Sequence, residues 1–356
     1  MKILIIRLSS IGDCVMASPV VEALRDRYPN AHLTWAVQAK SVAAVRNLPG
    51  LNEMLLWDDR NHTYRTLLGA LWRTWRSRFD ITLDLQGLDK AGLFAFASRA
   101  HRRVSGEGAR NIAHWSSTER VAEDERMHAR IFYLRRAAML GIAEDAVDRY
   151  FPRVPITAAH RRFADEFLAQ AGFAPQHRLI GLNLGASFEY KRWPTERFAQ
   201  LANELLAHDA TTRIVIFGSA ADAPLLEKFE AELAHCQPAR PGMAWPGRVL
   251  ASVGRLDLMQ LAAVAERCSA FVTSDTGPMH VAAAVGAPIV ALFGPTDSYR
   301  TGPVHNPGQA PIVTLDARNI TGSWPAPMEA LQVDAVCDAV NSLIEDSVRW
   351  QRWIAK

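Results

Sequence analysis

Apolar positions along this chain follow two alternating spacings. Short β-rich runs recur, each followed by a stretch whose apolar residues return every three or four positions. That is the pattern of a parallel sheet with helices on both faces. In the first half it predicts strands at Lys2–Leu8, Ala31–Val37, Met54–Trp57 and Ile81–Leu85. Helices are predicted at Val15–Arg27, Thr63–Arg78, Lys90–Ala100 and Met127–Leu140. The helix Thr63–Arg78 gathers Leu67, Leu68, Leu71, Trp72 and Trp75 on one stripe, with Arg73, Arg76 and Arg78 off it. Residues 145–160 carry two prolines and no clear period, and read as a linker. The alternation then restarts, with helices at Ala158–Ala171, Thr195–His208, Ala223–His235 and Asp257–Arg267. Strands fall at Leu179–Leu184, Thr212–Phe217, Val249–Ser252, Phe271–Thr273 and Ile289–Phe293, with a Pro/Gly-rich insert at Pro238–Gly247. The expected organisation is two doubly wound α/β domains, 1–150 and 161–332, followed by a helical tail, 333–356.

Composition narrows the class. A chain of 356 residues is long for one core, and an apolar fraction of 49% is ordinary for a folded protein. A formal net charge of +3 is too small to argue for nucleic acid. Of the 40 basic residues, six are lysine and the other 34 arginine. Genome composition produces such a bias, and so does recognition of phosphates and carboxylates by the guanidinium fork. The four cysteines show no C-x-x-C spacing, which argues against a zinc site or a disulfide framework and fits a reducing cytoplasm. The apolar start Met1–Ile6 is closed by Arg7 and too short for a leader. The longest apolar run, Val281–Phe293, is interrupted by Gly286 and Pro288 and falls short of the ~20 residues of a membrane helix. A soluble protein is expected, and no segment reads as a convincing membrane-binding amphipathic helix.

The chemistry concentrates at strand ends. After Phe271–Thr273 come Ser274, Asp275, Thr276 and Gly277, then Pro278 and a small apolar helix. Pro suits a first helical turn, and the leading N–H groups of such a helix seat a phosphate. His280 stands one turn in, placed to add a donor. A second cluster, Asn183 to Pro194, pairs a Gly-Ala-Ser turn with Lys191 and Arg192. Ser187 and Lys191 can donate to an anion there, or the loop is simply a solvated basic one. Asp222, after Phe217-Gly218-Ser219, can accept ribose hydroxyls or cap the next helix. Leu256 can wall a base. The first strand–helix turn, Arg7 to Cys14, faces the side where open α/β sheets bind ligands. Within it Asp13 is either a cap or a general base at the floor of an interdomain cleft. Neither G-x-G-x-x-G nor Gly-Lys-Ser/Thr occurs, which weakens dehydrogenase and ATPase readings. No D-x-D stands at a strand end, and no two-His metal spacing is present. Phosphate charge is therefore expected to be met without a metal. Glu123, Asp124 and Glu125 read as a solvated run.

Five motifs in order carry a resemblance: Ser-Ser-Ile-Gly-Asp (9–13), Asp-Leu-Gln-Gly (84–87), Lys-Arg-Trp-Pro (191–194), Asp-Thr-Gly-Pro-Met-His (275–280) and Phe-Gly-Pro-Thr-Asp (293–297). The chain resembles family 9 glycosyltransferases, the lipopolysaccharide heptosyltransferases, over nearly its whole length. The resemblance implies a GT-B fold, two Rossmann-like domains with the active site in the cleft between them. It also implies an ADP-heptose donor, inversion at the anomeric carbon, and no metal or other cofactor. On this sequence it makes Asp13 the catalytic base. Ser187, Lys191, Thr276, Gly277 and His280 become donor-phosphate contacts, Asp275 the heptose contact, and Asp222 and Leu256 the ribose and adenine contacts. The implied acceptor is a lipid A–inner core at the inner face of the inner membrane. Ser9, Ser10, Gly12 and the basic residues Arg60, Arg65, Arg102, Arg103 and Arg110 are candidates to meet it. A monomer is expected, with no nucleic-acid partner. Competing readings are a family relative using another nucleotide-sugar or a later core acceptor, a sugar-nucleotide epimerase or hydrolase, and a non-catalytic nucleotide-sugar-binding protein.

Overall fold

The computed structural model describes all residues except 60–63, 123, 125, 237–244, 246, 305, 307, 355 and 356, with side chains up to Glu345. The chain divides into two compact units, Met1–Pro155 and Ile156–Lys356, so the division falls inside the segment 145–160. Arg60 and most of the insert Pro238–Gly247 lie outside the described residues.

The first unit is built on six parallel strands: β1 (Lys2–Ile6), β2 (His32–Gln38), β3 (Glu53–Trp57), β4 (Ile81–Asp84), β5 (Arg102–Gly106) and β6 (Glu119–Val121). They lie in the order β3-β2-β1-β4-β5-β6. The second unit repeats the arrangement with β7 (Arg178–Asn183), β8 (Thr212–Phe217), β9 (Val249–Ala251), β10 (Ala270–Ser274), β11 (Ile289–Phe293) and β12 (Ile312–Asp316). Its order is β12-β11-β10-β7-β8-β9, which is the same winding. Each is the doubly wound order of a Rossmann fold. Its direction reverses once, between β1 and β4 in the first sheet and between β7 and β10 in the second.

Burial on both faces explains the near-continuous apolar strands. Ile3 to Ile6 are fully buried, as are Ile289 to Phe293. Leu4, Ile6 and Leu8 pack with Leu55, Ala70, Ala91, Phe94 and Ala95 on one face of the first sheet. In the second unit Val336, Val340 and Leu343 of the C-terminal helix Val333–Ile354 join the core of Ile180, Leu182, Phe198 and Leu292.

Three differences from the sequence pattern have physical causes. The helix expected at Val15–Arg27 is two helices, Ile11–Ala17 and Pro19–Arg27. Pro19 has no N–H, and Ser18 bonds back to the Val15 carbonyl through both its N–H and its hydroxyl. Strands β5, β6 and β12 escape the pattern because they are polar, short or half-exposed at an edge. The apolar stripe of the helix Tyr64–Ser77 does not all face inward. Leu67 and Leu71 pack on the core, whereas Leu68, Trp72 and Trp75 are exposed.

Gly181 shows how tightly the second sheet is covered. A Cβ there would lie 2.6 Å from the Phe271 ring and 3.0 Å from that of Phe217. Gly181→Ala is expected to destabilise the second unit by about 1–3 kcal/mol through overpacking. Denaturant melts showing an unchanged midpoint would contradict this packing.

Candidate active site

In the first unit the loop after β1 and the loop after β4 meet where the strand order reverses. Ser10 starts the helix Ile11–Ala17, and Asp13 stands in its first turn. Asp13 is thus not the cap itself but the partner of one. Its Oδ2 accepts from the Ser10 N–H at 3.2 Å, the Ser10 hydroxyl at 2.9 Å and Arg7 Nη2 at 2.5 Å. Its Oδ1 accepts from the Tyr133 hydroxyl at 2.9 Å. Arg7 also donates to the Leu85 carbonyl at 2.9 Å, and its guanidinium lies 5.2 Å from the centre of the Tyr133 ring. The Leu8 N–H donates to Gln86 Oε1 at 2.9 Å, which ties the two loops together. Asp84 holds the second loop by accepting from the N–H groups of Gln86 and Gly87.

Burial alone would raise the Asp13 carboxyl. The Arg7 charge and the bonds from Ser10 and Tyr133 outweigh it and hold the group below its ordinary range. Burial drives Tyr133 upward, so its phenol stays protonated and donates. The carboxylate keeps 29% of its side-chain surface open. Oδ2 carries three donors and Oδ1 one, so Oδ1 retains acceptor capacity. An ionised, oriented carboxylate with one available oxygen can take a proton from a substrate hydroxyl.

The second unit repeats this placement with different chemistry. Asn183 at the end of β7 is level with Thr273 of β10, and its side chain donates to Thr273 Oγ1 and to the Gly185 carbonyl, both at 3.1 Å. The buried Trp193 fixes the loop by donating its N–H to Ser274 Oγ at 3.3 Å and its indole N–H to the Leu331 carbonyl at 3.0 Å. That anchoring presents Lys191, whose ammonium meets Asp275 Oδ2 at 2.8 Å. Thr276 caps the helix Gly277–Ala284, with Pro278 in its first turn. Residues Met279 to Ala284 are buried, which lets this helix lie close to the sheet. His280 is buried at its fourth position, and Ser187 is exposed at the rim of the loop.

Asp222 and Leu256 follow β8 and β9. The Asp222 carboxylate accepts from the Ser219 N–H at 2.8 Å and the Ser219 hydroxyl at 2.7 Å. Oδ2 is therefore occupied by the cap. A Cβ on Gly185 would lie 2.5 Å from the same oxygen, so the loop after β7 needs a glycine to pass it. The half-buried Leu256 sits in a loop docked on the end of β8 by the Gly254 N–H, which donates to the Gly218 carbonyl at 3.0 Å. Along the carboxyl edge, β10, β7, β8 and β9 thus carry the Asp275–Gly277 turn, Lys191, Asp222 and Leu256 in that order. Three strand spacings of about 4.8 Å separate the first from the last.

The arginines divide. Arg110 is exposed, and its N–H donates to the Gly87 carbonyl at 2.9 Å, beside the Asp13 loop. Arg65 is exposed at the start of its helix. Arg102 and Arg103, expected with them, stand at the amino end of β5, on the opposite edge of the sheet. Arg102 is paired with Glu119 at 2.8 Å, and Arg103 donates to the carbonyls of Ser116 and Ala100. Both fork tips are engaged in holding the fold, so neither belongs to this site. Ser9 is half-buried and Gly12 buried in the Asp13 loop. Arg7 and Tyr133 were missed as site residues. Tyr133 lies 120 positions from Asp13 and has no motif, whereas Arg7, a cation closing an apolar strand, signals a need for a nearby anion. Among the described residues, no group of three or more His, Cys, Asp or Glu side chains converges as a metal would require.

Residues 68–318 match the model of glycosyltransferase family 9 (heptosyltransferase). The lipopolysaccharide heptosyltransferase 2 of Escherichia coli is 29% identical over 314 residues, covering 85% of this chain and 86% of that protein. The lipopolysaccharide core heptosyltransferase OpsX of Haemophilus influenzae is 25% identical over 307 residues, covering 85% and 81%. In fold, the chain superposes on a family 9 glycosyltransferase from Veillonella parvula with a TM-score of 0.80 at 23% identity, over 96% of this chain and 97% of that one.

The depressed Asp13 carboxyl makes a testable linkage. Its ionised form stabilises the fold above the ordinary value of 3.8, and that contribution is lost as pH falls through the lower folded value. In Arg7→Met burial and the bonds from Ser10 and Tyr133 remain while the cation is gone, so the Asp13 carboxyl should titrate higher than in the unaltered chain. Carbon-13 NMR of that carboxyl reads the shift, and an unmoved titration would show that Arg7 does not hold it.

Proposed function

The chain belongs to glycosyltransferase family 9, and from that premise we propose a metal-independent, inverting heptosyltransferase that moves heptose from ADP-heptose to a lipid A–inner core acceptor at the inner face of the inner membrane. Its fold is GT-B, two Rossmann-like domains. The observation that carries the reading is the placement of both chemistries at strand-order reversals. One reversal carries a carboxylate with an available oxygen, the other an ammonium beside a helix N-terminus.

In this reading the second unit holds the donor. The diphosphate lies over the end of β7 and β10, where Lys191, the hydroxyls of Ser187 and Thr276, the Gly277 N–H and His280 meet it. The ribose and adenine run along the carboxyl edge past Asp222 and Leu256, a direction that suits an extended nucleoside diphosphate. Asp275 contacts the heptose. Asp13 Oδ1 takes the proton of an acceptor hydroxyl as that oxygen bonds to the heptose C1. The C1–O bond to phosphate breaks on the opposite face, and ADP leaves with the electron pair. Attack and departure on opposite faces invert the anomeric centre. The charge that grows on the leaving phosphate is met by Lys191 and the helix N-terminus. A low carboxyl pKa keeps Asp13 ionised, and a bound acceptor that displaces water raises its proton affinity at the moment of attack. Arg110 and Arg65 face an acidic acceptor, with Ser9, Ser10 and Gly12 shaping the loop beneath it.

Asp13→Asn is expected to lower kcat by roughly 10²–10⁴ while leaving ADP affinity nearly unchanged. Ordinary turnover in that variant removes Asp13 as the base. Lys191→Ala should weaken ADP binding by about 1.5–3 kcal/mol, the scale of a charge-assisted hydrogen bond, measured by calorimetry. Full transfer activity is expected in excess chelator, and activity lost there but restored by Mg²⁺ or Mn²⁺ would contradict the metal-free reading. Turnover of ADP-heptose with a panel of truncated lipid A–core acceptors tests the donor and acceptor directly.

A further inference from the structure

The helices Tyr64–Ser77, Asp89–Ala97 and Asn111–Ser116 lie side by side over one face of the first sheet. Their inward sides supply buried Ala91, Phe94 and Ala113, with Leu67 and Leu71 half-buried against the core. Their outward sides are also apolar. Leu68, Trp72, Trp75, Phe96 and Trp115 are between 49% and 70% exposed, and Tyr64 more so. On the first helix Tyr64, Leu68, Trp72 and Trp75 follow one another at helical spacing, so they form a single outward strip. Phe96 and Trp115 add a second exposed pair on the two neighbouring helices, with ring centres 5.4 Å apart. An exposed apolar face with this many large side chains marks an interaction site.

Cations outnumber carboxylates on this face. The helix Tyr64–Ser77 carries Arg65, Arg73 and Arg76 and no carboxylate. Arg76 lies over the Trp72 ring at 4.7 Å, and Arg99 over the Trp75 ring at 5.0 Å. The nearby acids Asp80 and Asp89 are exposed, each accepting one backbone N–H, and Arg73 donates to the Leu56 carbonyl, which leaves the face with a net positive charge from Arg65, Arg76, Lys90 and Arg99. A second copy of this face would repel the first. Indoles and a phenol set among arginines suit the boundary between anionic headgroups and acyl chains, where the ring is buried and the cation stays with phosphate. Among the described residues no helix is long and apolar enough to cross a membrane, so the contact lies in the plane of the surface.

We propose that this three-helix face docks the first unit on an anionic lipid bilayer. The Trp72 stripe carries it, since three of its five apolar residues, Leu68, Trp72 and Trp75, face away from the core. The face reaches the site loops, because Tyr64 and Arg65 begin the first helix and Arg110 caps the third. Docking therefore holds the Asp13 loop near a lipid-linked acceptor. That consequence rests on the transfer reaction proposed above, but the docking itself does not.

Vesicle co-sedimentation without donor or acceptor separates the two. The full chain should bind vesicles of phosphatidylcholine with one-third phosphatidylglycerol, bind phosphatidylcholine alone weakly, and release with salt. Trp72→Ser with Trp75→Ser should abolish sedimentation, and Arg76→Gln with Arg99→Gln should weaken it about 30-fold. Thermal melts and calorimetric ADP binding, unchanged in both variants, confirm that they fold. Absence of binding by the unaltered chain overturns the proposal, as does undiminished binding by the tryptophan variant. A dimer in sedimentation velocity that the tryptophan variant dissolves, with no vesicle binding, also overturns it and makes the face a protein interface.

Discussion

The site depends on a topological constraint that no single side chain supplies. In a parallel sheet every connection must cross over, and right-handed crossovers put helices on one face until the strand order turns back. At the turning point two neighbouring strands send their chains to opposite faces, and the carboxyl edge between them stays uncovered. This chain turns back twice, at β1/β4 and at β7/β10, and the Arg7–Asp13 and Lys191–Asp275 pairs stand at those two places. Direct hydrogen bonds between residues 78 to 90 positions apart cross each gap: Leu8 to Gln86 and Arg7 to Leu85 in the first unit, Asn183 to Thr273 and Trp193 to Ser274 in the second.

Each gap also holds one ion pair, and the pairs are used in opposite senses. Taking two charges out of water rarely adds net stability, so shielded pairs such as Arg7–Asp13 and Lys191–Asp275 call for another reason to be there. In the first, three donors pin one carboxylate oxygen and leave the other accessible, so the cation serves to orient an anion. In the second, an acidic side chain holds an ammonium in place beside the helix N-terminus, so the anion serves to orient a cation. On the proposed donor placement, a lysine already held in this way has little side-chain entropy left to lose when a diphosphate binds.

Periodicity made the interior of the second unit legible. The helices Thr195–His208 and Ala223–His235 and the strands Thr212–Phe217 and Ile289–Phe293 end where the pattern ends, because their apolar positions face one buried side or two. Legibility failed where stabilisation comes from partners distant in sequence. β5 is Arg-Arg-Val-Ser-Gly, held by pairing with β4 and β6, by Thr118 and by the bonds of Arg102 to Glu119 and of Arg103 to Ser116 and Ala100, none of which an apolar period reveals. Tyr133 reaches Asp13 only because the helix Ala129–Ala138 packs against Ile11–Ala17, a contact that no local spacing encodes. Motif reading placed Asp13, Lys191 and Asp275 near strand ends, where backbone turns leave a local signature. Arg102 and Arg103 carried no such signature, and a basic residue's charge alone does not say which end of a strand it occupies.

Small residues are what allow the loops of the second unit to close over one edge. Gly185 passes directly against the Asp222 carboxylate, so the loops after β7 and β8 share space that any side chain would fill. Gly254 adopts φ +69°, and a Cβ there would stand 3.0 Å from the Ala220 backbone, which brings the loop after β9 down onto the same ridge. The helix after β10 achieves the same closeness with alanines at positions 282–284. Four neighbouring strand ends are thereby drawn into one continuous line of backbone. A ligand lying along that line meets N–H groups and short polar side chains rather than bulky ones. On the proposed donor placement, specificity along the edge falls to the few longer side chains near it, Lys191 and Leu256 among them, while the glycines act through the backbone path alone.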